Sequence, residues 1–237
     1  MKNIFLNKTD STNSFAKANV PLQPLRSMTC VIARKQTHGR GRFERSWQSP
    51  RGNLYMTFCF TLAKTSDINC LGLLLACSAC RVLQKYGIRP QIRWPNDLLI
   101  DSQKIGGILC ETTTTETYLQ IFLGVGLNIN TAPSLSNTCS LSQKSGKNYA
   151  IEEILQKLQI QFSEDLLIFI KDGFKPFAAP IEKLLAYKNE IVSYKDDQHT
   201  WQGKVLSLSL EGLLNLQLPS GEIKTLCSAT FSQNDLR

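Results

Sequence analysis

The chain has 237 residues, of which 42% are hydrophobic and 19% charged, so its composition excludes wholesale disorder and its length fits one or two domains. It carries 27 Lys and Arg against 19 Asp and Glu, a net charge of +8. That excess suits a partner with phosphate or carboxylate groups without saying which one.

The first half of the chain mixes predicted strands with predicted helices. Its N-terminal residues lack the pattern of a signal peptide and no apolar run is long enough to span a bilayer, so we expect a cytoplasmic protein with no membrane partner. In chain order the pattern predicts a strand at 4–6, a helix capped by residues 10–13, strands at 29–33 and 54–62, a helix over 67–86 with Asp67 near its start, and strands at 91–94, 104–113 and 117–128. A short polar turn predicts that the last two strands form an antiparallel hairpin.

The second half begins with helical spacing and ends with short strands. Apolar residues at helical spacing predict a long amphipathic helix over 150–171, and a second helix is predicted over 176–187. Short β-like runs then follow near 190–194, 200–208, 213–218 and 222–227, separated by turn signals that are typical of a small β-barrel. Because strands and helices do not alternate strictly, we predict an α+β domain at 1–188 and a small C-terminal β-barrel domain at 189–237.

Eight cysteines are scattered along the chain, mostly inside apolar stretches. Their spacing builds no disulfide framework. Cys77 and Cys80 form one C-x-x-C pair within the predicted helix, but no second pair or histidine lies near them in the sequence. We therefore expect small buried hydrophobic residues rather than a metal or redox site.

The most informative segment is residues 36–47, which read QTHGRGRFERSW. Gly39 and Gly41 allow backbone amides to approach a ligand, and three arginines stand around them. Because the planar guanidinium suits phosphate and carboxylate, the segment indicates a polyanionic ligand. Taken alone, it is equally compatible with a solvated basic loop.

Two further segments carry polar groups at the ends of predicted strands. RWPND at 93–97 makes a tight turn, and Lys104 opens the next strand, where its amine could converge on the Asp97 carboxylate. GVGLNIN at 124–130 ends a strand in glycines and amides that can approach a ligand. For each segment alone, a purely structural turn is the competing interpretation.

The ordered set of segments resembles the biotin protein ligases. The family pattern contains D-S-T-N, G-R-G-R-x-x-R-x-W-x-S-P-x-G-x-N-L-Y, (K/R)-W-P-N-D, K-x-x-G-(I/V)-L-x-E and G-(I/V)-G-x-N-x-N. This chain matches these motifs in order at 10–13, 39–55, 93–97, 104–111 and 124–130, except that Gly52 directly precedes Asn53 where the second motif has one residue between them. The resemblance implies a mixed β-sheet flanked by helices, similar to class II aminoacyl-tRNA synthetases and lipoate ligases, with the small β-barrel after it.

The resemblance also implies roles for matching residues. Lys104, Arg40 and Arg42 are expected to be catalytic. The residues expected to bind biotin are Ser11, Thr12, Asn13, Gln36, Gly39, Arg40, Gly41, Arg42, Trp47, Lys104, Gly106 and Gly107. The residues expected to bind the nucleotide are Arg42, Arg45, Trp47, Asn96, Asp97, Lys104, Asn128 and Asn130. ATP and magnesium are the expected cofactors, and no metal site built by the protein alone is expected.

The reaction implied is ATP-dependent formation of biotinyl-5'-AMP, followed by transfer of biotin to a lysine of a carrier domain of the acetyl-CoA carboxylase type. Since the motifs begin at Asp10, the resemblance points to the monofunctional type without an N-terminal DNA-binding domain, and we expect no DNA partner. A homodimer is left open. Two departures from the pattern stand out: Glu44 replaces a common glycine, which predicts a stiffer loop or an internal ion pair, and Arg93 replaces a commoner lysine.

Two other functions remain as alternatives. A ligase or transferase for lipoate or octanoate would share the fold, but G-R-G-R and K-x-x-G-I-L-x-E favour biotin. A basic nucleic-acid-binding module would explain the net charge, but the chain lacks a recognition-helix pattern or strand faces with interleaved basic and aromatic residues.

Overall fold

A computed structural model describes residues 1–21, 24–64, 68–196 and 198–232 of the chain. Seven strands form the larger sheet, in the order β1-β2-β3-β7-β6-β5-β4. These strands are Lys2–Leu6 (β1), Thr29–Ala33 (β2), Leu54–Ala63 (β3), Gln91–Arg93 (β4), Asp97–Ile100 (β5), Gln103–Thr114 (β6) and Tyr118–Leu127 (β7). Only β1 and β2 pair in parallel, so the predicted mixed sheet is confirmed, as is the β6–β7 hairpin.

Helices cover both faces of this sheet. They are Thr12–Asn19 (α1), Leu71–Gln84 (α2), Leu141–Ser145 (α3), Ile151–Asp172 (α4) and Lys175–Glu182 (α5). Strand residues alternate between the faces, so Val31 packs with Ala16 of α1 while Cys30 packs with the α2 and α4 side. On that second side the Phe58 ring packs against that of Phe162 of α4 in a tilted arrangement, with ring centroids 4.5 Å apart. No helix within the described residues is long and apolar enough to cross a bilayer.

The C-terminal strands form a second, antiparallel sheet. They are Ile191–Lys195 (β8), Thr200–Leu208 (β9), Leu214–Gln217 (β10), Ile223–Leu226 (β11) and Thr230–Ser232 (β12), paired in the order β11-β10-β9-β8-β12. The four predicted strands are confirmed, and β12 is an addition. The predicted barrel closure is wrong for the described residues, because the short edge strands β11 and β12 do not pair with each other.

Two helix boundaries and one strand are the main differences from the prediction. The helix expected from residue 67 begins at Leu71, and Asp67 itself lies outside the described residues. The helix expected to reach residue 187 ends at Glu182, because Leu185 bridges to Ile92 and Tyr187 adopts a φ of 60°. Strand β5 was not predicted, because the three apolar residues that follow Asp97 carry no period that separates a strand from a turn.

Candidate active site

The sheet order brings the five sequence motifs to one cavity. Because β3, β7, β6 and β5 are neighbours, the ends of these strands lie beside the start of α1 and the loop after β2. Fourteen of the predicted site residues line the cavity: Ser11, Thr12, Asn13, Gln36, Arg40, Gly41, Arg42, Arg45, Trp47, Asn96, Asp97, Lys104, Gly107 and Asn128. The convergence of distant segments is what a ligand site requires.

One wall of the cavity is a closed hydrogen-bond network of buried polar side chains. The Gln36 Oε1 atom accepts from the Thr12 amide at 2.8 Å and from the Thr12 hydroxyl at 3.1 Å, while its Nε2 donates to Ser49 at 2.9 Å. The Thr57 hydroxyl lies 2.8 Å from that of Thr12 and 2.6 Å from Asn13 Oδ1. These contacts fix which end of each amide faces which neighbour, so the polar groups of the wall are ordered in advance. We refer to Thr12, Asn13, Gln36 and Thr57 as the polar wall.

Trp47 forms a second, aromatic side of the cavity. Its indole lies so close to the Gly126 backbone that a Cβ there would come within 2.6 Å of Nε1. Gly126 is therefore required for close approach rather than for an unusual backbone angle. The Trp47 Nε1 atom is buried without a hydrogen-bond partner among the described residues, and Lys104 Nζ stands 5.1 Å from the ring centroid. An apolar face with one free donor suits a planar ligand group.

Lys104 and Asp97 form an ion pair at the centre of the cavity. The predicted convergence is confirmed, with Lys104 Nζ 2.6 Å from Asp97 Oδ1, and Arg93 Nη2 donates to Oδ2 of the same carboxylate at 2.6 Å. Burial alone would raise the pKa of the Asp97 carboxyl, but these two cations hold it below its ordinary value. Asp97 is therefore an anion that fixes the Lys104 amine inside the cavity.

The glycine- and arginine-rich loop folds back on itself over the cavity. Gly41 N donates to Arg45 O at 2.7 Å and Trp47 N donates to Gly39 O at 2.8 Å, which makes a small hairpin. At its tip Phe43 and Glu44 have φ angles of 55° and 54°, a region that residues other than glycine rarely adopt. This conformation is the physical reason that glycine suits position 44. We call residues 39–47 the arginine loop.

Glu44 forms the internal ion pair that its sequence position suggested. Arg40 Nη1 lies 3.1 Å from Glu44 Oε1, and the Glu44 side chain is 76% exposed. The same guanidinium also reaches Glu111 Oε1, at 3.3 Å, and the Ser14 hydroxyl, at 3.2 Å. Arg40 is thus shared between two carboxylates at the edge of the cavity.

The end of the C-terminal sheet supplies part of the cavity lining. Arg42 donates to the Ser228 hydroxyl at 2.8 Å and to the Ala229 carbonyl at 3.2 Å. Burial lowers the pKa of the Arg42 guanidinium, and the charge of Asp97 opposes that effect. Phe231 lies under the Arg93 guanidinium, 4.7 Å from the ring centroid. Two cations of the site therefore have partners in the C-terminal sheet.

The side-chain amides of Asn96 and Asn128, at the other end of the cavity, already make some of their possible hydrogen bonds within the protein. Asn96 Nδ2 donates to the Ile108 carbonyl at 2.8 Å, and Asn128 Nδ2 donates to the Cys139 carbonyl at 3.1 Å. Asn128 Oδ1 is buried without a partner among the described residues. A buried acceptor in that state is available to a ligand.

Three predicted residues do not line the cavity, which corrects their expected contacts. A Cβ on Gly39 would come within 2.5 Å of the Trp47 carbonyl, and one on Gly106 within 2.6 Å of Leu127 Cδ2, so both glycines serve packing. Asn130 bonds both ends of its amide to the backbone of Tyr149, each at 2.9 Å. The amide of Asn130 therefore secures a loop.

Several lining residues were not singled out from the sequence. They are Phe43, Ser46, Gln48, Arg93, Trp94, Pro95, Ile108, Leu109, Gly124, Val125, Gly126, Pro133, Leu135, Thr138, Ala229, Thr230 and Phe231. Gly124, Gly126 and Arg93 stood inside quoted motifs, so their positions offered a signal. Residues 229–231 offered none, because only the packing of the second sheet brings them to the cavity.

Comparison with known proteins shows which family the sequence of this chain matches. The sequence model of the Biotin/lipoate A/B protein ligase family matches residues 5–128. The chain is 30% identical over 213 residues to a bifunctional ligase/repressor of Bacillus subtilis, covering 85% of this chain and 65% of that protein. It thus spans about 65% of the length of that relative. A biotin–[acetyl-CoA-carboxylase] ligase of Paracoccus denitrificans is 34% identical over 140 residues, 54% of this chain and 55% of its own.

Solved structures agree with this relationship. A biotin protein ligase of Aquifex aeolicus in complex with biotin and ATP superposes with a TM-score of 0.84 at 30% identity. The match covers 98% of this chain and 97% of the other, so it includes both sheets. The apo structure of a biotin protein ligase from Aquifex aeolicus matches with a TM-score of 0.81 at 27% identity.

Proposed function

The chain belongs to the Biotin/lipoate A/B protein ligase family, and from that membership we propose that it is a biotin protein ligase. It would use ATP to activate biotin as biotinyl-5'-AMP and transfer the biotin to a lysine of a carrier domain. The observation that carries the proposal is the position of Lys104 in the cavity lining, with its amine 2.6 Å from Asp97 and 5.1 Å from the centroid of the Trp47 ring.

Each side of the cavity suits one part of the two substrates. The polar wall offers ordered donors and acceptors for the ureido ring of biotin, beginning at Thr12 and Gln36. Trp47 offers an apolar face and a free indole N–H, and Asn128 offers a free carbonyl oxygen at the other end. Lys104 stands between them, where a carboxylate and an α-phosphate would meet.

The chemistry needs positive charge at that meeting point. The biotin carboxylate attacks the α-phosphorus of ATP, the bond to pyrophosphate breaks, and negative charge builds on the phosphoryl oxygens. Lys104 and Arg42 are placed to stabilise that charge, because both are already held by fixed partners and need little reorganisation. In the second step the carrier lysine attacks the anhydride carbonyl and AMP leaves. Closure of the arginine loop would exclude water from the anhydride.

Magnesium fits this site as a companion of ATP rather than as a protein-bound metal. Asn128 Oδ1 has no hydrogen-bond partner among the described residues, and Asp97 is an anion that also lines the cavity. The described residues contain no cluster of three or more acidic, histidine or cysteine side chains that could hold a metal ion. Mg²⁺ commonly uses one or two protein oxygens together with substrate phosphates, and when bound it would shield phosphate charge.

The remaining expectations concern partners and place. We propose a carrier domain of the acetyl-CoA carboxylase type as the acceptor and the cytoplasm, where ATP is available, as the location. We also propose that residues 189–237 act as a second domain that closes the cavity, supported by the contacts of Arg42 with Ser228 and of Arg93 with Phe231. Whether the enzyme is a homodimer would be measured by light scattering with and without biotin and ATP.

The test is transfer of biotin to a purified carrier domain, read as a gain in its intact mass. The wild-type protein with ATP and Mg²⁺ should add one biotin, and excess lipoate should not compete. Lys104→Ala should lower the rate by about 10²–10³-fold, the usual cost of removing one preorganised charge stabiliser. Lys157→Ala is the matched control, because that lysine pairs with Glu153 on the surface of α4.

The two alternatives give different outcomes. Addition of lipoate without addition of biotin would keep the fold and the site but overturn the substrate. No addition of either acid, together with salt-dependent binding of DNA or RNA, would support the nucleic-acid-binding module instead.

A further inference from the structure

Glu111 lies on β6 directly behind the polar wall and does not line the cavity. Its carboxylate is the meeting point of three donors. Asn13 Nδ2 donates to Oε2 at 2.7 Å, and Lys17 Nζ and Arg40 Nη2 reach Oε1 at 2.6 and 3.3 Å. One partly buried anion therefore touches both the polar wall and the arginine loop.

The contact with Asn13 determines how that amide is oriented. A carboxylate only accepts hydrogen bonds, so it must face the NH₂ end of Asn13. The oxygen end then faces the Thr57 hydroxyl at 2.6 Å, and Thr57 adjoins Thr12 at 2.8 Å. The orientation of the wall residues thus begins at Glu111.

The Arg40–Glu111 ion pair differs from the Arg40–Glu44 ion pair in its exposure to solvent. Glu111 is 18% exposed, whereas Glu44 is 76% exposed, so solvent and salt screen the Glu44 pair far more. Burial alone would raise the pKa of the Glu111 carboxyl, but hydrogen bonds from Lys17 and Asn13 and the charges of Lys17 and Arg40 keep it below its ordinary value. Glu111 therefore stays an anion at neutral pH, whichever partner Arg40 takes at the surface.

We propose that Glu111 is a positioning residue that orients Asn13 in the polar wall and anchors Arg40 of the arginine loop. The polar wall and the arginine loop then both depend on one carboxylate. This proposal rests on the proposed function. Glu44 is the weaker, exposed partner, which Arg40 gives up when an anionic substrate arrives, while Glu111 retains its hold.

The test compares two isosteric variants that each remove one carboxylate from Arg40. Glu111→Gln removes the charge and leaves one acceptor oxygen, so that its NH₂ group must face either Asn13 on one side or Lys17 and Arg40 on the other, and we expect the KM and Kd for biotin to rise about tenfold or more. Glu44→Gln removes an exposed ion pair, and we expect the KM for biotin to stay within about twofold or to fall. Steady-state kinetics with the carrier domain and titration calorimetry with biotin alone measure both quantities.

The variant Lys17→Met distinguishes a positioning role of Glu111 from a purely structural one. It removes the partner of Glu111 that lies outside the cavity lining. We expect this variant to lower the melting temperature with little change in the KM for biotin. Equal KM values for wild type, Glu111→Gln and Lys17→Met would overturn the proposal, as would an equal rise in Glu44→Gln. If Glu111→Gln does not fold, Glu111→Asp retains the charge but shortens the reach, and unchanged biotin affinity in that variant would also overturn it. A wild-type protein that neither binds nor transfers biotin would instead refute the proposed function.

Discussion

The polar wall and the arginine loop adjoin each other at one cavity and are built in opposite ways. Thr12, Asn13 and Thr57 are buried, and their polar groups are bonded to one another and to the sheet. In the arginine loop, Phe43 and Glu44 are exposed and have positive φ angles, and the Arg40–Glu44 pair lies in solvent.

We infer from this difference that the polar wall recognises the substrate and that the arginine loop closes over it. A wall whose hydrogen bonds exist before the ligand arrives loses little entropy on binding and can discriminate by shape and donor pattern. A loop held by strained backbone and screened charges can rearrange at low cost. We therefore expect changes in the wall to alter biotin affinity and stability together, and changes in the loop to alter rates with little effect on stability.

The largest effect should come from placing a methyl group inside the wall. In Gly124→Ala the new Cβ would meet Asn13 Oδ1 at 2.4 Å. Because Asn13 is held by Glu111 and Thr57, it cannot turn away, and we expect the free energy of unfolding to fall by about 1–3 kcal/mol. Biotin affinity should fall at least about tenfold as hydrogen bonds in the wall are lost. Urea unfolding and calorimetry measure the two effects.

The control for that variant is Gly72→Ala in helix α2. There the nearest atom to a new Cβ, in Ile108, lies 3.9 Å away, so the methyl group fits. Helix propensity predicts an unchanged or higher stability, by up to about 1 kcal/mol. If Gly124→Ala behaved like Gly72→Ala, the wall would not be the rigid element that the comparison assumes.

The next effect concerns the contact between the arginine loop and the C-terminal sheet. Arg42→Ala removes two hydrogen bonds to Ser228 and Ala229 and a cation of the cavity. We expect the KM for ATP to rise about tenfold or more, as for a lost charge-assisted bond, and the loss of biotin affinity to be smaller than the loss for ATP. Arg51→Ala, which removes an exposed arginine bonded to Asn7, is the matched control. A loss of biotin affinity equal to that for ATP would show that loop and wall are not separable.

A smaller, graded effect should appear on acidification. The folded-state pKa values of Asp97 and Glu111 lie below their ordinary values of 3.8 and 4.5. Both groups therefore stabilise the fold above those values, and the stabilisation is lost as pH falls through the lower folded-state pKa values. Melting temperatures of wild type and Glu111→Gln, measured from pH 7 to pH 2, should converge at the acid end. A constant difference across that range would contradict the Glu111 part of this assignment.

The smallest effect is expected at the tip of the loop. Glu44→Gly relieves a positive φ of 54°, worth about 1 kcal/mol, but removes an exposed ion pair worth about 0–1 kcal/mol. Stability should therefore change by less than about 1 kcal/mol, while the rate of the first step and its dependence on salt should change. Stopped-flow measurement of pyrophosphate release at two ionic strengths gives the rate of the first step and its dependence on salt. A large change in melting temperature would mean that the loop is part of the rigid frame.

Much of the fold could be predicted from local sequence patterns. Helix α4 shows apolar residues at helical spacing over six turns, and β3, β6 and β7 are long runs with clear turn signals. Short elements escaped prediction because three or four residues carry too little periodicity, as in β5 and β12. The open edge of the second sheet also escaped, since strand spacing is the same in a barrel and in an open sheet.

For the site, sequence alone determined the chemistry of the motifs and their order, and hence fourteen of the residues that line the cavity. Only the tertiary structure decided which of these groups remain available. Asn130 is bonded to the Tyr149 backbone, whereas the Asn128 side-chain oxygen has no partner in the part of the chain that the structure describes. It also decided that Glu111 joins Asn13 to Arg40 and that Ala229 meets Arg42. The physical reason is that a hydrogen bond is fixed by distances of about 3 Å between atoms, and strand pairing and sheet packing set those distances across nearly the whole length of the chain.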